Sequence, residues 1–375
     1  MASEIWVLNM CDTEPDREIF GGMPMTQRTG KQTWRGVTDA LPRFIDRCDS
    51  IRDDCGLPLK MTLFIRSDLQ ISEFYGRPGW ALYAFGELWD TFMKRGHEIA
   101  WHPHLWRWSD KRRSWYQEMF DEKWIREECL KPGYEDFCGY LPVRISRMGW
   151  CYHNNCSMQQ INQLGIMADF SGLAGMVSGI RNELPMHNYS MYDWSLTPSY
   201  PYRPSVADYR KSARNGEKAL SVLEVPAATL RLPVVRRIKR IIKNVLYQQR
   251  FYQSPRMLIN MHCSHQQLVL AFLKQQVQRA KQEEMPVIYS WYLHADDLLS
   301  ENTEKAVLRN IKYLQNMAKK EGVNLIFKTA SQVAEHILRF TGQTESPYQI
   351  KPGADSEARQ TPIRVCRELP AVIDG

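Results

Sequence analysis

Long apolar runs are missing from this sequence, and no window approaches the roughly 18 consecutive apolar residues that a membrane-spanning helix needs, so no such helix is expected. Paired cysteines are missing too. Nine cysteines run from Cys11 to Cys366 without one CxxC, and the closest pair, Cys151 and Cys156, has the wrong gap, so neither a zinc ribbon nor a disulfide framework is indicated. There is no GxGxxG after the first apolar run and no GxxxxGK[ST] anywhere, which argues against a nucleotide cofactor. A general excess of one charge is absent as well. The net charge is +7, and seven basic residues with no acidic one fall within Arg231–Arg250, so the rest of the chain is neutral overall. That argues against a broadly basic nucleic-acid-binding surface. The first ten residues have no basic stretch and an apolar run of only four residues, Ile5–Leu8, before Asn9, so a secretory leader is not expected and the cytoplasm is the expected compartment.

What is present is an ordinary globular composition, 43% hydrophobic and 24% charged over 375 residues. Short apolar, β-branched or aromatic runs recur at 5–10, 61–65, 99–102, 143–146, 166–170, 223–225, 257–261, 287–293 and 323–327. Amphipathic stretches such as Ala81–Arg95, His265–Lys281 and Thr303–Lys320 lie between several of them. This repetition predicts an α/β protein with a parallel sheet closed, or nearly closed, into a barrel. Two segments break the rhythm: 107–142 reads as a solvated helical insertion and 184–211 as a long irregular loop. One domain over 1–340 with a C-terminal extension over 341–375 is the expected division.

Ionisable residues gather just past the predicted strands, where a β/α barrel carries its active site. The first strand leads into Asp12 and Glu14, the third into His102 and His104. Residues i and i+2 of an extended segment share a face, so each pair can aim two side chains at one spot. Two imidazoles and a carboxylate are a common set of protein ligands for catalytic zinc, although the same residue types also cap strand-end loops.

Five segments then carry a family resemblance: Asp12-Thr13-Glu14, Gly96 to His104, Arg144-Ile145-Ser146-Arg147-Met148-Gly149-Trp150, Ala168 to Ser171, and Trp291 to His294. In this order they resemble the motifs of the polysaccharide deacetylase superfamily, the NodB-homology group also classed as carbohydrate esterase family four. The resemblance implies a distorted (β/α) barrel and a metal-dependent hydrolase that removes an N-acetyl or related N-acyl group from an amino sugar or glycan precursor. It further implies Asp12 as general base, Glu14 and His102 as ligands of a divalent metal, most often Zn2+, Arg144 as the residue orienting the base, Asp169 as the group tuning the catalytic histidine, and His294 as general acid. The family's second histidine lies four residues after His102, where this chain has Trp106, so His104 is the natural substitute. His262 ends another predicted strand and competes with His294, while His97 precedes its strand and reads as a structural cap, and His153, His187, His265 and His336 have no convergent partners in the sequence.

Twelve tryptophans and seventeen tyrosines suit stacking on sugar rings, as they also suit packing of long loops. Trp106, Trp150, Ser171, Asp193, Trp194 and His262 are the candidate substrate contacts. The basic segment 231–250 places Val234, Ile238, Ile241, Ile242 and Val245 on one helical face. It fits a helix on an anionic membrane, with a lipid-linked sugar then a plausible substrate, and equally a barrel-packing helix with a solvated face. Two further classes stay open at this point: a catalytically silent carbohydrate-binding barrel, and a peripheral membrane or nucleic-acid-binding protein using that segment.

Overall fold

The computed structural model describes residues 3–17, 26–178, 192–232 and 256–340. Most of the basic segment, the tail after 340 and part of the 184–211 loop lie outside them, as does His187.

Eight of the nine apolar runs become strands of one sheet: β1 (Glu4–Thr13), β2 (Met61–Arg66), β3 (Glu98–His102), β4 (Ile145–Ser146), β5 (Ala168–Asp169), β6 (Leu223–Glu224), β7 (Val287–His294) and β8 (Asn324–Phe327). Their order is β6-β5-β4-β3-β2-β1-β7, with β8 also beside β1. Every pairing is parallel. One edge of β1 is shared, Glu4–Val7 meeting β8 and Asn9–Thr13 meeting β2. Among the described residues β6 and β7 do not pair, so the barrel stays open there. The ninth run lies beside that opening: Arg256–Leu258 pairs antiparallel with Thr229–Arg231, and the Met261 amide then reaches the Tyr292 carbonyl at 3.3 Å. It is therefore a hairpin arm rather than the parallel strand its composition suggested.

Side-chain alternation along β1 decides what faces inward. Trp6, Leu8 and Met10 meet Phe64, Ala100, Ile145, Ala168, Leu223 and Ile288 inside the curled sheet, together with Ala330, Val333, Ala334 and Ile337 of the helix Ala330–Phe340. That helix plugs the end of the barrel where the strands begin. Ile5, Val7 and Cys11 face the other way, onto the surrounding helices. Continuing the inward set past the apolar layer brings up Asp12, Arg66, His102 and His294, all at the C-terminal ends of their strands. The register sets Asp12 opposite His294 and Arg66 opposite His102.

The segment 107–142 is not the solvated helix that its charges suggested. Trp106–Ser109 and Ser114–Gln117 form a β-hairpin, followed by a helical stretch at 122–140. Trp115, Trp124, Ile125, Leu130 and Phe137 are all buried. Trp106 and Trp108 alternate as in a strand and Trp115 lies opposite Trp108, a pattern that outweighs the polar residues between.

Candidate metal centre

Glu14 follows β1, His102 closes β3 and His104 follows it. Their donor atoms lie within 4.8 Å of one another, and all three side chains are buried. His102 donates from Nδ1 to the Arg147 carbonyl (2.7 Å), which leaves its Nε2 as a lone pair. His104 is held the opposite way: its Nδ1 accepts from Trp106 Nε1–H (3.0 Å), so these hydrogen bonds place the proton of the neutral ring on Nε2. The two Nε2 atoms stand 3.2 Å apart, and His104 Nε2 is 3.5 Å from Glu14 Oε2. Burial lowers the pKa of both histidines, His104 also through Arg66, so both rings are neutral. Two neutral imidazoles and a carboxylate fit a divalent cation such as Zn2+. A cation and the His104 proton would compete for the same donors.

The rings are fixed from several sides. A Cβ on Gly149 would sit 2.2 Å from the His104 ring, so that ring lies flat against a glycine that leaves it room. Arg66, fully buried, donates to Glu14 Oε2 (3.2 Å) and Asp68 Oδ2 (2.7 Å). Asp68 Oδ2 also accepts from the His104 amide (3.1 Å).

Asp12 lies beside this cluster, and Arg147 Nε donates to its Oδ1 at 2.9 Å. Burial pushes the Asp12 carboxyl up, but Arg147, with His102 and His294, outweighs it and holds the group below its ordinary value. His294 Nε2 lies 3.5 Å from Glu14 Oε1 and 3.9 Å from Asp12 Oδ2. On its other side Arg17 Nη1 is 2.9 Å from Nδ1, and Arg17 also pairs with Asp296 and Asp297. This leaves Nε2 as the protonated atom facing the carboxylates. Burial pulls His294 down, but Asp297, Asp12 and Glu14 together hold it above its ordinary value.

The other expected residues divide. Arg144 is exposed and does not meet Asp12; Arg147, three residues on in the same motif, does. Asp169 does not reach His294. It lies behind the sheet, 3.2 Å from His153 Nε2 and 2.6 Å from Ser146 Oγ, and the carboxylate beside His294 is Asp297. His153, which had no partner in the sequence, thus has one, and its Nδ1 meets Ser157 Oγ at 3.0 Å. Ser171 and Trp194 are fully buried, Ser171 accepting from the Met148 amide and Trp194 donating to the Cys151 carbonyl, so both are packing residues. Asp193 pairs with Arg210. Trp106 is buried against His104 rather than open to a ligand.

Two of the expected contacts, Trp150 and His262, are only partly buried. Trp150, half-buried, packs edge-on to Trp106 at 5.8 Å and takes a left-handed backbone (φ 59°). His262 is half-buried with Nδ1 3.6 Å from Asp297 Oδ2. Arg17, Arg66, Asp68, Arg147, Gly149 and Asp297 carry the site without having been singled out by sequence. Of these only Arg147 and Gly149 lie inside a quoted motif.

No family model and no curated protein matches the chain. Among solved structures it is similar to one from Parabacteroides distasonis described provisionally as a glycoside hydrolase/deacetylase, with a TM-score of 0.53 at 12% identity over 92% of this chain and 73% of that one. It also matches one from Mycobacterium smegmatis described provisionally as a polysaccharide deacetylase, with a TM-score of 0.43 at 15% identity over 85% and 83% of the two chains. The first of these likenesses shows a shared fold: the chain is an α/β protein with a curled, parallel, distorted (β/α) barrel, as its resemblance to the deacetylase superfamily implies.

Proposed function

We propose that this protein is a metal-dependent hydrolase that removes an N-acetyl or related N-acyl group from an amino sugar or glycan precursor. The observation that carries the reading is the convergence of Glu14, His102 and His104 with the Asp12–Arg147 pair and His294 at one end of the barrel. An amide is a weak electrophile with a poor leaving group, so its hydrolysis needs an activated water, a polarised carbonyl and a proton for the departing nitrogen. Glu14, His102 and His104 would hold a divalent cation, which would supply the first two by acidifying water and acting as a Lewis acid. Asp12, kept ionised by Arg147, takes the proton of the attacking water. Water oxygen bonds to the carbonyl carbon, the C–N bond breaks, and His294 Nε2 gives its proton to the nitrogen, leaving a free amine and a carboxylic acid that then loses its proton to solvent.

The test pairs metal content with turnover. The purified protein should hold one divalent ion per chain and release acetate from N-acetylated amino-sugar oligomers, and His102→Ala should lose both properties. Asp12→Asn should keep the ion but lose turnover by about 10²- to 10⁴-fold, the usual worth of a positioned base. Acetate release that survives chelation and Asp12→Asn would overturn the reading.

A further inference from the structure

Arg66 is a fully buried charge that the proposed reaction does not use. It closes β2, and its side chain is fully buried. Each of its three nitrogens has a different partner: Nη1 meets Glu14 Oε2 (3.2 Å), Nε meets Asp68 Oδ2 (2.7 Å), and Nη2 meets Gln70 Oε1 (2.5 Å). Asp68 is equally committed, since Oδ2 also accepts the His104 amide (3.1 Å) and Oδ1 caps the helix Leu69–Tyr75 through the Ile71 amide (3.1 Å). Glu14 comes from the loop after β1 and His104 from the loop after β3. β2 lies between these strands, so neither loop is joined to the other by strand pairing. The Arg66–Asp68 pair spans that gap, one end on the Glu14 side chain and the other on the His104 backbone.

We propose that Arg66 and Asp68 are positioning residues that preset the separation of Glu14 and His104, so that the donors already stand at coordinating distance before a cation arrives. This rests on the reading of Glu14, His102 and His104 as a metal centre. A planar guanidinium suits the task because it engages three acceptors in fixed directions, whereas an ammonium at the same place reaches one or two without fixing an angle. Removing the pair would leave Glu14 free to turn its second oxygen toward His294, 3.5 Å away. The cation would then meet a site that must reorganise as it binds.

The test uses the full chain loaded with Co2+, whose visible absorption reports coordination geometry independently of turnover. In Arg66→Lys the charge stays, and the cobalt spectrum should change while affinity falls about 10- to 100-fold, the usual effect of losing an outer partner of a ligand. The melting midpoint of the cation-free protein serves as the control for folding. Asp68→Asn keeps the shape and should weaken cobalt binding in the same direction, and it decides the matter should Arg66→Lys not fold. Wild-type affinity and spectrum in a folded Arg66→Lys, or in Asp68→Asn when the lysine variant is unfolded, would overturn the proposal alone. A wild-type protein that takes up no Co2+, or His102→Ala protein that takes it up unchanged, would overturn the metal centre itself and the proposal with it.

Discussion

His104 owes its place to the absence of a methyl group. Any Cβ at Gly149 would fall 2.2 to 2.3 Å from three atoms of its ring, well inside contact distance, so Gly149→Ala must push the ring away from His102 and Glu14. Divalent affinity should drop by about tenfold or more, within the range seen when ligand support is lost, with overall secondary structure retained; calorimetric titration with Zn2+ measures it, and unchanged binding would show that the ring has room to spare. The same scale explains which candidates were legible. The spacing of Glu14 from Asp12 and of His104 from His102 follows from strand alternation, which needs no tertiary information. Arg147 against Arg144 was harder, because a shift of one residue in a two-residue strand turns every side chain to the other face. Ile145 points inward with the core, so Arg147 follows it inward and Arg144 faces out.

At the scale of elements, the helix Ala330–Phe340 closes the end of the barrel away from the site, and one half-buried carboxylate anchors it. Glu98 accepts from the Ser331 amide, the Ser331 hydroxyl and the Thr62 hydroxyl. Glu98→Ala removes the acceptor of these part-buried donors and should cost about 1 to 2 kcal/mol, read as a lower urea midpoint with unchanged slope. Because Glu98 begins β3 and His102 ends it, cation affinity of the folded variant should not move. Elements were also where composition misled. Lys111, Arg112 and Arg113, with the acidic residues after them, suggested a solvated helix, but the alternating tryptophans on either side make a hairpin whose aromatic face is covered by Phe74 and Trp150. The run at 257–261 is as apolar as the true strands, yet its first residues pair antiparallel beside the edge where the barrel is open.

For the whole molecule, stability should depend on acid through a histidine remote from the site. His97 is buried, its Nδ1 accepting the Met61 amide, and burial, with Lys60 next, holds its pKa down at about 4. The unfolded chain binds this proton near pH 6.5, so between pH 6.5 and 4 the unfolded state carries more protons and stability falls as pH falls. The loss approaches about 3 kcal/mol at the foot of that window and vanishes above it. Urea unfolding at pH 7 and pH 4.5 should show this drop in wild type and a clearly smaller one in His97→Gln, whose amide oxygen can still accept from Met61. Equal drops in the two proteins would assign the acid sensitivity elsewhere. Below that window Asp12, Asp169 and Asp297, all held under their ordinary values by paired charges and hydrogen bonds, add their own loss as they protonate.

Local periodicity alone determined the parallel α/β barrel, the strand ends as the place for chemistry, and the pairing of Asp12 with Glu14 and of His102 with His104. These follow from which residues lie two apart along one chain segment. The partners of those residues were decided by tertiary structure: Arg66 for Glu14, Arg147 for Asp12, Asp297 and Arg17 for His294. Asp297 and His294 are close in sequence, but Arg17 and His294 are 277 residues apart, and Arg147 and Asp12 are 135 apart. Such contacts depend on which strands become neighbours and on how the loops above them turn, and a period of two carries no information about either.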